Sequence, residues 1–239
     1  KDAFIVFNGN RNQFRKRIDI TIAAFAIFAK DKPETILYLH MGKKDQGWDI
    51  MHLFDREMKR NKIDPNSRII LTCDVDGPPN VEVETLNTIY NAVDIGVNTC
   101  KGEGWGLVNF EHAACKVAQV VPGHTSCKEI FEGYGRLIKC DHIDTDTNYG
   151  REMPCPSTKD LVEILNDLYN NRDKLEATAE LCYERALEKQ FEWERIGLQF
   201  TGVFQDTLKG VDHSLDKKSK PKPKVKKKPV RRKRKIGNA

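Results

Sequence analysis

The chain has 239 residues, 39% hydrophobic and 31% charged, the composition of a soluble globular protein with room for one large α/β domain or two small ones. No apolar run approaches the roughly 20 residues that would cross a bilayer as a helix. The net charge of +5 conceals an asymmetry: residues 216–239 hold 13 Lys/Arg against one acid, and residues 1–215 hold 27 basic against 34 acidic side chains. An acidic globule of net charge −7 with a basic tail is not, as a whole, a nucleic-acid binder.

Apolar spacing predicts the elements in order. No signal peptide is visible, and a strand at 3–7 opens almost at once after Lys1, the start expected of a piece cut from a longer chain. A helix at 18–29 follows, with Ile18, Ile22, Phe25 and Phe28 at near-helical spacing. Next come a strand at 35–40, a helix at 48–59, a strand at 68–72, a helix at 83–92 and a strand at 94–98. A helix at 107–115, a strand at 118–121, a short helix at 127–133 and a last strand at 136–140 complete the alternation. Residues 141–156 are polar and contain Pro and Gly, and predict a loop. Residues 157–208 predict two or three helices, with a Leu161, Ile164, Leu165, Leu168 stripe and Phe191-Glu-Trp-Glu-Arg195 at the entry to the last.

Strand–helix alternation of this kind specifies an α/β fold, a Rossmann-like doubly wound parallel sheet with helices on both faces. The short apolar strands suit a sheet buried on both sides. The expected domain is 1–210. Residues 211–239 form a Lys/Arg/Pro-rich tail that cannot bury a core and is expected to be disordered. The tail's clusters fit a nuclear address, an anionic or membrane surface, an electrostatic tether, or equally a plain solubilising segment. Seven scattered cysteines, odd in number and without a C-x-x-C pair, suit reduced thiols in a reducing, cytoplasmic compartment.

Two loops carry the chemistry. The first follows the opening strand: Asn8-Gly-Asn-Arg-Asn-Gln-Phe-Arg-Lys-Arg-Ile18-Asp19, with Arg11, Arg15, Lys16 and Arg17 crowded into one strand-to-helix connection. The second is Lys101-Gly-Glu-Gly-Trp-Gly-Leu-Val-Asn-Phe-Glu111, in which Gly104 and Gly106 space Trp105 between Glu103 and Glu111. In a parallel sheet both loops lie on the C-terminal edge of the strands, facing one crevice. Amides at a helix start and several cations would hold a diphosphate there. The two carboxylates then make sense as acceptors for sugar hydroxyls.

Asn-Arg11-x4-Lys16-x-Ile18-Asp19 resembles the opening motif of the donor-binding domain of retaining GT-B glycosyltransferases of the family 4, group 1 type. Glu103-Gly-Trp-Gly-Leu-Val-Asn-Phe-Glu111 resembles that family's E-x7-E motif, and Leu86-x2-Ile-Tyr-x-Ala92-x-Asp94 and Ala118-Gln-Val-Val-Pro122 resemble the segments flanking it. The resemblance covers residues 3–207. It implies that Arg11 and Lys16 neutralise the donor diphosphate as the glycosidic bond breaks, and that amides around Gly104, Trp105, Gly106 and Leu107 bind a phosphate oxygen. It implies that Glu103 faces the donor sugar near an oxocarbenium-like centre, that Glu111 accepts the ribose hydroxyls, and that Thr72 and Cys73 lie near the base. A UDP- or GDP-sugar is then the substrate, with no cofactor and no metal. Asp74-Val-Asp76 resembles a metal-binding DxD but is outweighed by the metal-independent pattern, and His112 and His124 lack metal-ligand spacing. Trp105 is expected to pack rather than to stack on ligand.

Two departures qualify the resemblance. Arg17 stands where the family usually has glycine, so Arg17 or Arg15 is expected to share the phosphate role. Gly123-His-Thr-Ser-Cys-Lys-Glu129 keeps the acid of the family's Gly-Gly-x-x-Glu but loses the glycine pair, leaving sugar specificity around residues 124–126 open. The implied acceptor domain is missing, so it is expected in cis or on a partner chain, and the acceptor is a glycan, a lipid or a protein. The alternative reading is a non-catalytic nucleotide-binding or scaffold domain recruited by its tail. Another doubly wound protein, such as a phosphate-sugar isomerase, ranks third.

Overall fold

The computed structural model describes residues 3–72, 74–145 and 150–210, so the expectations for Cys73 and for the tail lie outside the described residues. Strands β1 (Phe4–Asn8), β2 (Thr35–Leu39), β3 (Ile69–Leu71), β4 (Ile95–Val97), β5 (Ala118–Pro122) and β6 (Arg136–Ile138) form one parallel sheet in the order β3-β2-β1-β4-β5-β6. Between them run α1 (Ile18–Phe28), α2 (Ile50–Arg60), α3 (Val83–Ala92), α4 (Leu107–Ala114) and α5 (Thr125–Phe131). The doubly wound sheet expected from the alternation is therefore present. Its strand order reverses between β1 and β4, and in such sheets the crevice outside the strand ends at that point is the ligand site.

The two faces of β1 show how the sequence builds the layers. Phe4 and Val6 join a core with α1, α2 and the later helix α6 (Thr158–Asn170). Ile5 and Phe7 point the other way, into a cluster with Ile89, Tyr90 and Val108 from α3 and α4. Helix α1 is apolar almost all round because it is enclosed by the sheet, α2 and α6, with Ile18, Ile22, Phe25 and Phe28 fully buried. Each such side chain contributes about 1.5–3 kcal/mol by leaving water. The Leu161, Ile164, Leu165, Leu168 stripe is likewise buried, and Ser157 caps α6 by accepting from the Asp160 amide. Helix α7 (Arg172–Ala186) follows and packs on β5 and α4. One compact unit ends at Glu192; a second begins at Trp193 with α8 (Trp193–Leu208), where Phe200 and Phe204 meet one turn apart.

Most boundaries shift by one or two residues, and the region after β5 differs most from the sequence reading. Where the sequence predicts a loop at 141–156, β7 (Cys140–Thr145) and β8 (Glu152–Pro156) pair antiparallel as a separate two-stranded sheet. Much of β7 is exposed, so no buried alternation marked it, and the prolines of β8 sit in a ribbon whose outer edges need no ladder partner. The strand at 136–140 accordingly ends at Ile138 in the main sheet, and Cys140 opens the ribbon. Helix α5 starts at Thr125, two residues early, with His124 in the N-cap position.

Gly96 on β4 is small for a packing reason. A Cβ there would lie 2.5 Å from both His112 Nδ1 and Gln119 Oε1, so the glycine is the floor on which the α4 histidine rests.

Candidate functional site

The site forms at the reversal point, from the loops after β1 and β4. Asn8 ends β1 fully buried. Its carboxamide oxygen accepts from the Asn10 amide and from Asn10 Nδ2, both at 3.0 Å, and its Nδ2 donates to Thr21 Oγ1 at 2.9 Å. Asn10 in turn accepts from Lys16 Nζ at 3.0 Å, and Lys16 Nζ also pairs with Glu103 Oε1. A continuous chain of buried polar groups therefore runs from the strand end to the acid of the second loop. Thr99, two residues past β4, closes it from the other side by donating to the Lys16 and Arg17 carbonyls.

Asn12 anchors the middle of the cationic loop. Its Nδ2 donates to the Gly42 and Trp48 carbonyls and its Oδ1 accepts from the Trp48 amide, which ties the loop to the segment after β2. Asp45 on that segment holds Arg11 by two hydrogen bonds, 2.6 and 3.0 Å, and those bonds lower the Asp45 carboxyl and raise the guanidinium. Arg15 donates to the Gly102 carbonyl at 3.0 Å and stands 3.7 Å from Glu103 Oε2. The Glu103 side chain is only 8% exposed, so the charge sits in a dry wall with its cations beside it.

The second loop turns into α4 through Gly106, at φ 87°, a left-handed conformation that glycine adopts without strain. No side chain caps α4, whose first residue Leu107 lines the crevice with Gly106 and Val108. Trp105 packs edge-on against Phe110 and Phe191 and stays partly exposed. Deeper in α4, Asn109 bridges Asn98 and Gln119 at 2.9 Å each, and His112 stacks on Tyr90. Burial pushes His112 down to about 3, and its ring nitrogens have no hydrogen-bond partner.

These walls enclose an open cavity of about 460 Å³ lined by Arg11, Arg15, Lys16, Glu103, Trp105, Gly106 and Leu107, with Asn10, Gln13 and Val108. It brings together most of the residues singled out from the sequence. Gly104 does not line it, and Glu111 stands one turn further along α4, exposed and accepting from the Tyr90 hydroxyl at 3.3 Å. Thr72 lies past the end of β3, hydrogen-bonded to His40 Nδ1 at 2.7 Å, also outside the lining.

Of the two arginines, Arg15 lines the cavity and Arg17 does not: its guanidinium turns back onto Asp19, at 2.8 to 3.2 Å, and onto Cys155 of β8. Backbone geometry explains this, because Arg17 is the left-handed residue, φ 50°, that starts α1. Asn8, Asn10 and Asn12, which order the cationic loop, are the residues of the candidate site that sequence reasoning passed over. Their signal was legible: three asparagines at alternate positions directly after an apolar strand.

Among the described residues no cluster of His, Cys, Asp or Glu is arranged to hold a metal, and the exposed Asp74 pairs with Lys43. The six described cysteines are all free thiols; burial raises Cys182 to about 12 and Cys140 to about 11, and the hydrogen bond with Cys127, together with burial, raises Cys100 higher still. Raised thiols of this kind are poor nucleophiles.

No family model and no curated protein matches the sequence. Solved structures do match the fold. The C-terminal domain of a group 1 glycosyl transferase, LpcC, from Francisella tularensis superposes with TM-score 0.60 at 17% identity, over 78% of this chain and 85% of that one. Sucrose-phosphate synthase from Thermosynechococcus elongatus gives 0.64 at 20% identity, over 87% of this chain and 46% of the other. HepE from Anabaena, solved in complex with UDP and glucose, gives 0.63 at 17% identity, over 86% and 49%. This chain thus spans about half the length of the latter two. Its fold is that of the C-terminal domain of a GT-B glycosyltransferase.

Proposed function

We propose that this chain is the donor-binding half of a glycosyltransferase that moves a sugar from a nucleotide-diphosphate sugar to an acceptor with retention, the acceptor being held on a further domain or partner chain. The observation that carries the reading is the pairing of two unlike walls at the strand reversal. Arg11, Arg15 and Lys16 line one wall, where they would meet a diphosphate, and Glu103 lines the same cavity as Gly106 and Leu107 at the uncapped start of α4. The cations stabilise the nucleotide as it leaves, when negative charge grows on the bridging oxygen. Glu103 accepts hydroxyl hydrogen bonds and sits near the positive charge that develops at the anomeric carbon. Glu111 on the next turn of α4 accepts the ribose diol. Three side-chain cations make a resident metal unnecessary, so EDTA should leave binding unchanged.

A non-catalytic nucleotide-binding domain would need the cationic wall alone. The burial of Glu103 against Lys16 favours the transferase, because a dry carboxylate is costly and serves no diphosphate. Calorimetry with UDP, UDP-glucose, GDP and GDP-mannose tests the reading. Binding of a nucleotide sugar that Arg15→Ala weakens and Glu111→Ala weakens further supports it; a folded chain that binds none of the four sinks it.

A further inference from the structure

The first helical turn after β5, at the start of α5, holds an arrangement that the cavity's cations and acid do not use. Both main-chain polar groups of Glu103 are taken by two successive hydroxyls of that turn. Ser126 Oγ donates to the Glu103 carbonyl at 2.9 Å, and the Glu103 amide donates to Thr125 Oγ1 at 3.4 Å. The Thr125 hydroxyl proton is then free for His124 Nδ1, 3.3 Å away. Thr125 itself stands at φ 50°, a left-handed conformation that a β-branched residue rarely adopts. A strained backbone persists only where its surroundings over-determine it, and such positions gather at functional sites. Here the strain has a visible counterpart. With Thr125 turned this way, residues 125 and 126 present adjacent hydroxyls to the two peptide groups that flank the Glu103 Cα.

From the front, the Glu103 loop is held through its carboxylate and through Arg15, which donates to the Gly102 carbonyl. From behind, the hydroxyl pair is its support. Gly102 and Gly104 on either side of Glu103 have open space where a Cβ would be, so packing gives this stretch little restraint of its own. We propose that Thr125 and Ser126 are positioning residues that fix Glu103 at the sugar end of the cavity, so that the sugar-dependent part of donor affinity rests on them and the nucleotide part does not. This rests on the donor-binding reading above. It assigns to the turn, through hydroxyls, a role in sugar selection that its missing glycine pair left open.

Two measurements on the whole chain test it. Hydrogen exchange in the ligand-free protein should show the Glu103 amide and residues 101–106 exchanging faster in Ser126→Ala and in Thr125→Gly, with α1 and α6 unchanged. Ser126→Thr, which keeps the donor, should restore wild-type exchange. Thr125→Gly also removes the backbone strain, so its melting temperature should hold or rise while the loop loosens. A merely structural contact would move both in the same direction.

Titration with UDP against UDP-glucose, and GDP against GDP-mannose, gives the second measurement. Ser126→Ala should lower nucleotide-sugar affinity by about 3- to 10-fold, the effect of one lost hydrogen bond, and leave the free nucleotide within about twofold. Unchanged exchange at Glu103 overturns the clamp. Faster exchange with an unchanged ratio of sugar-nucleotide to nucleotide affinity overturns its role in selection. No nucleotide binding at all overturns the donor-binding reading and the positioning role with it, but leaves the exchange result to stand or fall alone.

Discussion

The loops after β1 and β4 both enter a helix through a left-handed residue with no side-chain cap, Arg17 at φ 50° in one and Gly106 at φ 87° in the other. Beyond that shared plan they differ in how they are held. The cationic loop is stiffened largely by its own asparagines, which bond its backbone and side chains to β1 and to the segment after β2. The acid loop has glycines where the other has asparagines, and takes its support from neighbours: Lys16 and Arg15 in front, Thr125 and Ser126 behind. A cationic wall preorganised in this way can wait for a diphosphate with fixed geometry. An acid wall borrowing its order can be retuned by a neighbouring turn without disturbing the phosphate site.

The largest expected effect comes from cutting the bond between the two loops. Lys16→Ala leaves the Glu103 carboxylate, 8% exposed, without its nearest cation. Breaking a buried pair in this way costs about 3–5 kcal/mol, and Arg15 at 3.7 Å keeps the loss toward the lower end. Lys16→Ala with Glu103→Ala should recover about 1–3 kcal/mol of the summed single losses. Denaturant midpoints of the four proteins give the coupling. A value near zero would mean that the loops are independent and that Lys16 belongs to the cationic wall alone.

A smaller effect separates α4 from α1 by pH. His112 is held neutral by burial, down to about 3 from an ordinary 6.5, while α1 contains no histidine. The unfolded chain takes up a proton as pH falls through 6.5 and the folded chain does not. Stability from this group is therefore whole above 6.5 and is lost progressively toward 3, at about 1.4 kcal/mol per pH unit. By pH 5 the loss is about 2 kcal/mol. Because His40 and His124 are also lowered by burial, the test is the difference between wild type and His112→Phe. That difference should fall steadily below pH 6.5, and a flat difference would show that His112 titrates normally.

Much of this was legible in the sequence because it depended on local pattern. Parallel strands buried on both faces read as apolar runs, and the Leu161 stripe announced α6. The cavity's cations and its first acid were read from their places after strands, which the sheet's order brings to one edge. What escaped depended on partners far along the chain. The β7–β8 ribbon pairs through backbone and shows little buried alternation. The hydroxyls of Thr125 and Ser126 gain meaning only from Glu103, more than twenty positions back in the chain. The direction of Arg17 depends on a backbone angle and on Asp19, neither of which its charge reveals.

Arg17 also supplies the smallest and sharpest comparison of the two loops. Arg17→Gly gives the cationic loop the same left-handed residue type that the acid loop has at Gly106. The change relieves a conformation that costs a non-glycine residue about 1 kcal/mol, and it gives back a similar amount through the entropy of glycine in the unfolded chain. It also removes an ion pair whose side chains are 20% and 26% exposed, worth at most about 1 kcal/mol. The net change in stability should therefore lie within about 1 kcal/mol. Because the guanidinium lies against Asp19 and Cys155 and outside the cavity, affinity for the nucleotide that binds should move by less than about twofold. Arg15→Ala, which removes a cation from the cavity wall, should cost about tenfold or more. Equal losses in the two variants would mean that Arg17 swings into the site when ligand arrives, and that the cationic loop is less fixed than its asparagines make it.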